Sequence, residues 1–391
     1  MKRMSAVKVW DSPDVPVVDK EADRSMAPKT IRIECHENEI PDFVEEEMER
    51  LYENIYSSLL QFRVYKTIKG NTSTYVVRED QRIVTIFLFV RERAKVRVLN
   101  EVIRLNESDI SRFAEYIFAA FKKVTVISFH AIQTDIHRLR FPYQQFNCSE
   151  DIVLTLPATE QEYLTNLGKH SRKNINYYRN KLKRDFPAFQ FDVLSKEEIT
   201  HQQIREIVIL NRERMAGKNK LSAFDDEETD RIISLVKECG VVGMVRIDGR
   251  ICAGAICLCI GRKYFMSVIS HDSRYDEYRL GTLCCFLTIC ESIARSGKEF
   301  HFLWGEYEYK YTLLGLKRNL DHVNVYRSRM QFLFNVNLAS GTAWNGYVRR
   351  TKLWLHQGDT QSSAVARMIL KSLSFMRKMK QIGMRFLTRE K

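Results

Sequence analysis

Alternation and helical spacing of apolar residues divide the chain into two successive α/β cycles. Residues 41–60 open with proline, carry acids in the first turns and repeat apolar positions at helical spacing, which predicts a helix. Three β-rich runs follow over 73–79, 82–92 and 95–103, separated by short polar turns. A second amphipathic helix is predicted over 107–123, and a strand over 124–132. The second cycle opens with a strand over 151–157, a short helix over 159–167, a basic helix and a strand over 189–195. Helices over 195–215 and 226–240 precede strands over 241–249, 250–261 and 263–272. A helix over 281–297 ends at Gly297, a residue suited to closing a helix, and strands over 298–306 and 322–329 complete the pattern. The second cycle thus reads helix, helix, strand, strand, strand, helix, strand. The first repeats a shorter version without sequence identity, which points to an internal duplication.

The flanks differ from this pattern. Residues 1–30 hold three of the seven prolines, many charges and no periodicity, and read as a flexible lead-in. The expected organisation is therefore a flexible segment at 1–30, domains at 31–150 and 151–335, and a basic helical tail at 336–391. The chain carries +13 formal charge, concentrated in two places. Eleven Lys/Arg against Asp359 and Glu390 lie in 345–391, and seven with no acid lie in 169–184. Such local basicity predicts particular anionic partners. The tail repeats Met368, Ile369, Leu373, Met376 and Met379 near one face beside Arg377, Lys378 and Lys380. This stretch suits an anionic membrane surface, a partner protein such as a membrane-bound synthase, or a docking face on the domain itself. No helix-turn-helix, zinc finger or RNA-binding signature accompanies the charge, so nucleic acid is not the expected partner. No long apolar run or secretory leader is present, and the nine cysteines are scattered without a C-x-x-C pair. A cytoplasmic protein is expected, with peripheral contact at the inner membrane face as a further expectation, no metal site, and cysteines that pack as small hydrophobes.

Chemistry concentrates where the strand over 263–272 runs through Arg274, Tyr278, Arg279, Gly281 and Thr282 into an apolar helix. A helix start offers unpaired N–H groups and a partial positive charge, and glycine lets a phosphate oxygen approach the backbone. Tyr278, Gly281, Thr282 and Leu283 are followed by Phe300, Phe302, Leu303, Gly305, Glu306, Tyr309 and Lys310. That order resembles the CelD-like acetyltransferases of bacterial cellulose and exopolysaccharide loci. Upstream, Ser171, Arg172, Asn174 and Ile175 resemble a stretch of the FemAB-like peptidyltransferases, and Lys310 with Gly315 matches a second spacing of that group. Tyr178 departs from its small residue, and no helical arm for a transfer RNA is evident, which favours the CelD-like side.

The resemblance implies an α/β fold of mixed sheets, with tandem GNAT-like acyl-CoA N-acyltransferase copies of which the N-terminal one is degenerate. It implies transfer of an acyl group, acetyl in the simplest case, from acetyl-CoA to a sugar, sugar nucleotide or related acceptor in polysaccharide or cell-envelope synthesis. An aminoacyl-tRNA-dependent ligase, or a non-catalytic module that binds a synthase, stand as alternatives. Lys310 would stabilise an oxyanion or bind a donor phosphate, and Glu306 would take a proton from the acceptor. Arg274, Arg279, Gly281 and Thr282 would hold the donor, with a backbone N–H near Val268 and Ser270 polarising its carbonyl. Arg172, Asn174, Trp304 and Tyr309 would meet the acceptor. His271 is a further candidate acid or base beside the donor loop, and His301 is a weaker one.

Overall fold

The computed structural model describes residues 30–335 and, as backbone, Lys8–Asp11. The tail proposed over 336–391 lies outside the described residues. Thirteen strands form one mixed sheet. The first half supplies β1 (Lys8–Asp11), β2 (Ile31–His36), β3 (Thr72–Glu79), β4 (Arg82–Glu92), β5 (Lys95–Val98), β6 (Val126–Ile132) and β7 (Tyr143–Thr155). The second supplies β8 (Gln190–Ser195), β9 (Gly240–Ile247), β10 (Arg250–Ile260), β11 (Lys263–His271), β12 (Glu299–Leu303) and β13 (Leu316–Tyr326). Across the sheet the order is β1-β2-β3-β4-β5-β6-β13-β7-β12-β11-β10-β9-β8.

The helices repeat the same plan. The first half has α1 (Val44–Tyr52), α2 (Leu59–Val64) and α3 (Glu107–Ala120). The second has α4 (Glu160–Asn166), α5 (Lys169–Asp185), α6 (His201–Gly217), α7 (Asp226–Cys239), α8 (Leu280–Ala294), α9 (Glu308–Thr312) and α10 (Arg329–Phe334). Strand, two helices, three strands, helix, strand, strand is thus the order from β2 to β7, and it recurs with α6 to α8 from β8 to β13, where the short α9 is added between the last two strands. Within each copy a single parallel pair, β5 with β6 and β11 with β12, is bridged by a helix, α3 or α8.

The copies exchange their last strands. β7 leaves the first copy and pairs with β12 of the second, while β13 returns to pair with β6. β7 and β13 pair with each other at the centre, so one continuous sheet joins both copies. β7 accordingly runs through residue 150, where the sequence pattern had placed a domain boundary.

Alternate strand positions face opposite layers. In the second copy Ala255, Cys257, Met266, Phe300 and Phe302 pack towards α5 and α8. Ile256, Leu258, Phe265, Val268 and Leu303 face the other way, towards α6 and α7. Ile55 and Tyr56 of the first copy join this second layer. The α5 stripe of Ile175, Tyr178, Leu182 and Phe186 turns inward as its spacing predicts, with Ile175 and Leu182 buried.

The helix predicted over 41–60 is broken into α1, a 3₁₀ turn at Ile55–Ser57 and α2. Glu53 adopts a left-handed conformation, and the Asn54 amide donates to the carbonyls of Glu101 and Val102 while its oxygen accepts from Tyr56 N–H. A buried asparagine satisfied by backbone outcompetes continuation of the helix. Lys8–Asp11, inside the expected lead-in, adds an edge strand to β2.

Candidate active site

β11 and β12 pair only at Lys263–Glu299, Tyr264–Phe300 and Phe265–His301, and then part. The fork opens because β11 carries a bulge. Its partner on β10 steps from Val268 opposite Ile256 to Met266 opposite Cys257, leaving Ser267 as the extra residue. From Met266 onward, the edge of β11 that faced β12 has no neighbouring strand. A cleft of about 520 Å³ fills this gap. Met266, Ser267 and Ile269 form one wall, Phe302 to Trp304 with Tyr307, Tyr309 and Lys310 another, and the end of α6 with the loop after it the roof.

The N-terminus of α8 opens into the cleft through Gly281 and Thr282. No side chain caps it, and its first turn holds no acid. Leu280 to Thr282 therefore keep free N–H groups at a partially positive helix end. Arg214, Lys218 and Lys220 add charge to the lining, and Arg214 Nε is buried without a hydrogen-bond partner. No Asp or Glu lines the cleft. An anion with a narrow apolar arm suits these walls.

The equivalent place in the first copy is closed. After β5 and β6 separate, backbone bonds from Val102 N–H to Ala131, from Gln133 N–H to Ile103 and from Leu105 N–H to Gln133 draw the strands back together. The helix start there is also occupied. Asn106 and Asp109 form a reciprocal cap, and Glu107 and Asp109 make the first turn of α3 acidic. That copy has neither the fork nor the anion site.

Several sequence-predicted residues meet in the cleft, and others do not. Gly281, Thr282, Trp304, Tyr309 and Lys310 line it, together with His271. Gly281 is required by closeness: a Cβ there would come within 2.6 Å of His271 Nδ1. His271 Nε2 lies 2.7 Å from Asp276, and its Nδ1 is buried without a partner. Burial lowers its pKa, against the pull of Asp276, which favours the neutral ring.

Lys310 must be corrected. It is buried, and its three N–H bonds go to the carbonyls of Phe302 at 2.8 Å, Leu303 at 3.0 Å and Trp304 at 2.7 Å. An ammonium has three donors, so none is left for an oxyanion or a phosphate. Burial draws its pKa down to about 8. Its task is to hold the end of β12, where Leu303 (φ 58°) and Gly305 (φ 89°) turn through the left-handed region. Glu306 is also corrected: it accepts from Lys317 at 2.7 Å and from Tyr311 at 3.1 Å, and does not line the cleft.

The donor set shifts too. For Val268 and Ser270 the expected group is a backbone N–H of β11; their side chains turn elsewhere, Val268 into the α6–α7 layer and the Ser270 hydroxyl to Ile207 O at 2.7 Å. Arg274 folds onto Asp272 at 2.5 Å, away from the lining. Arg279 adopts a left-handed conformation just before α8, exposed and outside the lining. On α5, Arg172 donates to Leu164 O and Asn174 pairs with His170, both remote from the cleft walls. The residues missed were Asn211, Arg214, Lys218 and Lys220. Their signal was the basic, glycine-broken end of a long helix, which reads equally well as a solvated terminus.

Residues 169–311, a span that contains both sequence motifs, match the family model of the acetyltransferase (GNAT) domain. The second copy is thus an acyltransferase domain of GNAT type, and the chain is an enzyme built from tandem GNAT-like copies. A solved structure of FemX is similar with a TM-score of 0.54 at 8% identity, covering 76% of this chain and 98% of that one. L-PGS from Bacillus licheniformis gives 0.48 at 14% identity over 78% and 96%. A tandem GNAT protein from the clavulanic acid biosynthesis pathway gives 0.36 at 11% over 74% and 98%. At such identities the likeness is one of fold. No curated protein matches the sequence. Among the described residues, no cluster could hold a metal ion and no helix is long and apolar enough to cross a membrane.

Proposed function

We propose that the protein is an acyl-CoA-dependent acyltransferase, with acetyl-CoA as donor, acting on an amine or hydroxyl of a sugar or sugar nucleotide in polysaccharide or cell-envelope synthesis. The carrying observation is the fork between β11 and β12, which opens beside an uncapped helix start in the second copy alone. The donor is a substrate here, supplying a thioester whose carbon accepts the nucleophile. Gly281 and Thr282 N–H groups, with Arg214, Lys218 and Lys220, suit its phosphates. Backbone N–H groups on the unpaired edge around Ser267 suit the thioester oxygen, as preorganised dipoles that need no rearrangement during reaction. Tyr309 lines the same walls, and burial pushes its hydroxyl pKa up, so it stays protonated and is placed to return a proton to the departing thiolate. The saccharide acceptor and the CelD-like branch rest on sequence resemblance. A cytoplasmic enzyme whose basic tail meets an anionic membrane face or a membrane-bound synthase completes the reading.

One observation favours a different donor, an aminoacyl ester on transfer RNA. Lys169, Lys173 and Lys183 form an exposed basic face on α5. Calorimetry with acetyl-CoA and coenzyme A separates the two. Micromolar binding of both, weakened about tenfold or more in a Lys218→Ala/Lys220→Ala variant, is the expected result. Absence of binding at millimolar ligand, with transfer RNA retarded on a gel, would overturn the coenzyme A reading.

A further inference from the structure

A second cavity, of about 490 Å³, lies at the seam between the two copies on the sheet face opposite α8. Tyr52, Arg104, Gln133 and Asp151 come to it from the first copy, Asp151 on its exchanged strand β7, and Lys263, His301 and Arg318 from the second. His301 and Asp151 side chains are only 5% and 2% exposed. His301 Nδ1 lies 2.7 Å from Asp151 Oδ2, and Phe265 stacks on the ring at 4.2 Å. Asp151 Oδ1 is buried without a hydrogen-bond partner, while His301 Nε2 faces the Glu299 carboxylate at 3.4 Å, an ion pair when the ring is protonated. Leaving the Asp151 acceptor unsatisfied is costly, and a built cavity that reaches it favours a ligand that brings an N–H or O–H donor.

The cavity backs onto the donor cleft. Phe265 and His301 form the last rung before the fork, and they line the seam cavity. The next residues, Met266 and Phe302, line the cleft. Tyr56 stands between the two, its ring 6.0 Å from Phe265 and 5.1 Å from Trp304. Trp304 is the exposed member of this pair, 46% accessible.

We infer that the seam cavity is the acceptor site of the acyl transfer, and that His301, oriented by Asp151, takes the proton of the attacking amine or hydroxyl. This rests on the donor reading above. The acceptor's lone pair forms the new bond to the thioester carbon as its proton passes to His301 Nε2. The C–S bond then breaks, the thiolate takes a proton from Tyr309, and solvent restores Tyr309 while it takes the acceptor's proton from His301.

The groups facing His301 are Asp151 on β7, Glu299 on its own strand, Lys263 on β11, Arg318 on β13, and Tyr52, Tyr56 and Arg104 from the first copy. Burial works to lower the His301 pKa, but the hydrogen bonds and charges of Asp151 and Glu299 outweigh it, and the net shift is upward. A base must be neutral to act, so the rate rises with pH, along a limb centred above 6.5.

Acetyl transfer to hydroxylamine, expressed per unprotonated nucleophile and followed from pH 5 to 9 in the full-length protein, tests the assignment, alongside acetyl-CoA calorimetry. His301→Gln is expected to lose the acid limb and about 100-fold in rate with acetyl-CoA affinity unchanged. Asp151→Asn, nearly isosteric, should move the limb to lower pH. Histidine-selective NMR of the unmodified protein should find a His301 titration coincident with the limb. Intact acetyl-CoA binding with an unchanged profile in either folded variant, or a His301 titration away from the limb, overturns this inference and leaves the donor reading standing. Loss of acetyl-CoA binding in the unmodified protein defeats the donor reading itself.

Discussion

At the residue scale, the most consequential side chain is one whose role the sequence misdirected. Lys310 sits where the family resemblance places a functional lysine, yet its neighbours turn it into a clasp on β12. Lys310→Met is expected to cost about 3 kcal/mol of stability, because it strands three carbonyls, and a urea titration would measure it. Glu306→Gln, by contrast, should leave turnover within about twofold, since the carboxylate lies away from the cleft; steady-state rates decide this. His322 offers a test through pH. Burial first, and then His130, draws its pKa down to about 4. A folded pKa below the unfolded value means the unfolded chain binds more protons in the interval between them. The contribution is therefore whole above about pH 6.5 and is lost as pH falls towards 4, by up to about 3 kcal/mol. Urea melts should show the stability of wild type relative to His322→Gln falling between pH 7 and pH 4.5. None of these environments is visible locally in sequence. Lys310 depends on carbonyls up to eight residues back, and the neighbours of His322 come from another strand.

At the element scale, the local code was readable. Helical spacing, proline and acids at helix starts, and alternation in strands located α3, α5, α6, α7, α8 and most strands to within a few residues. The failure at residues 53–58 has a physical cause, since Asn54 and Ser57 bond to Glu101 and Val102 from a distant segment. The cleft residues on α6 escaped for a related reason. Arg214 and Lys218 become informative only when the fork of β11 and β12 is set beneath them. Conversely, the Gly281–Thr282 start of α8 was legible, because the properties of a helix end are local. Gly281→Val would drive a side chain into His271, and acetyl-CoA affinity should fall more than tenfold while circular dichroism stays helical. Calorimetry on the folded variant reads this directly.

At the scale of the whole molecule, duplication was visible in the order of elements, but the exchange of β7 and β13 was not. Hydrophobic alternation says that a strand is half buried, not which neighbour it finds. The exchange means that neither copy closes its own sheet. A fragment of residues 159–335 lacks β7 beside β12, and should be unfolded by circular dichroism, whereas adding a separately made fragment of 1–158 should restore structure. The closed first copy is thus retained as scaffold, although it lacks a cleft of its own.

The shared centre also fixes a timetable for synthesis. A nascent chain that has completed β6 presents an unpaired edge with buried-type residues such as Ile127 and Phe129, and its strand partner, residues 321–326, emerges almost two hundred residues later. During that interval the first copy cannot finish, and an exposed strand edge is a template for pairing with other chains. The protein should therefore depend on holding chaperones while it is being made, far more than a tandem enzyme whose copies each close alone.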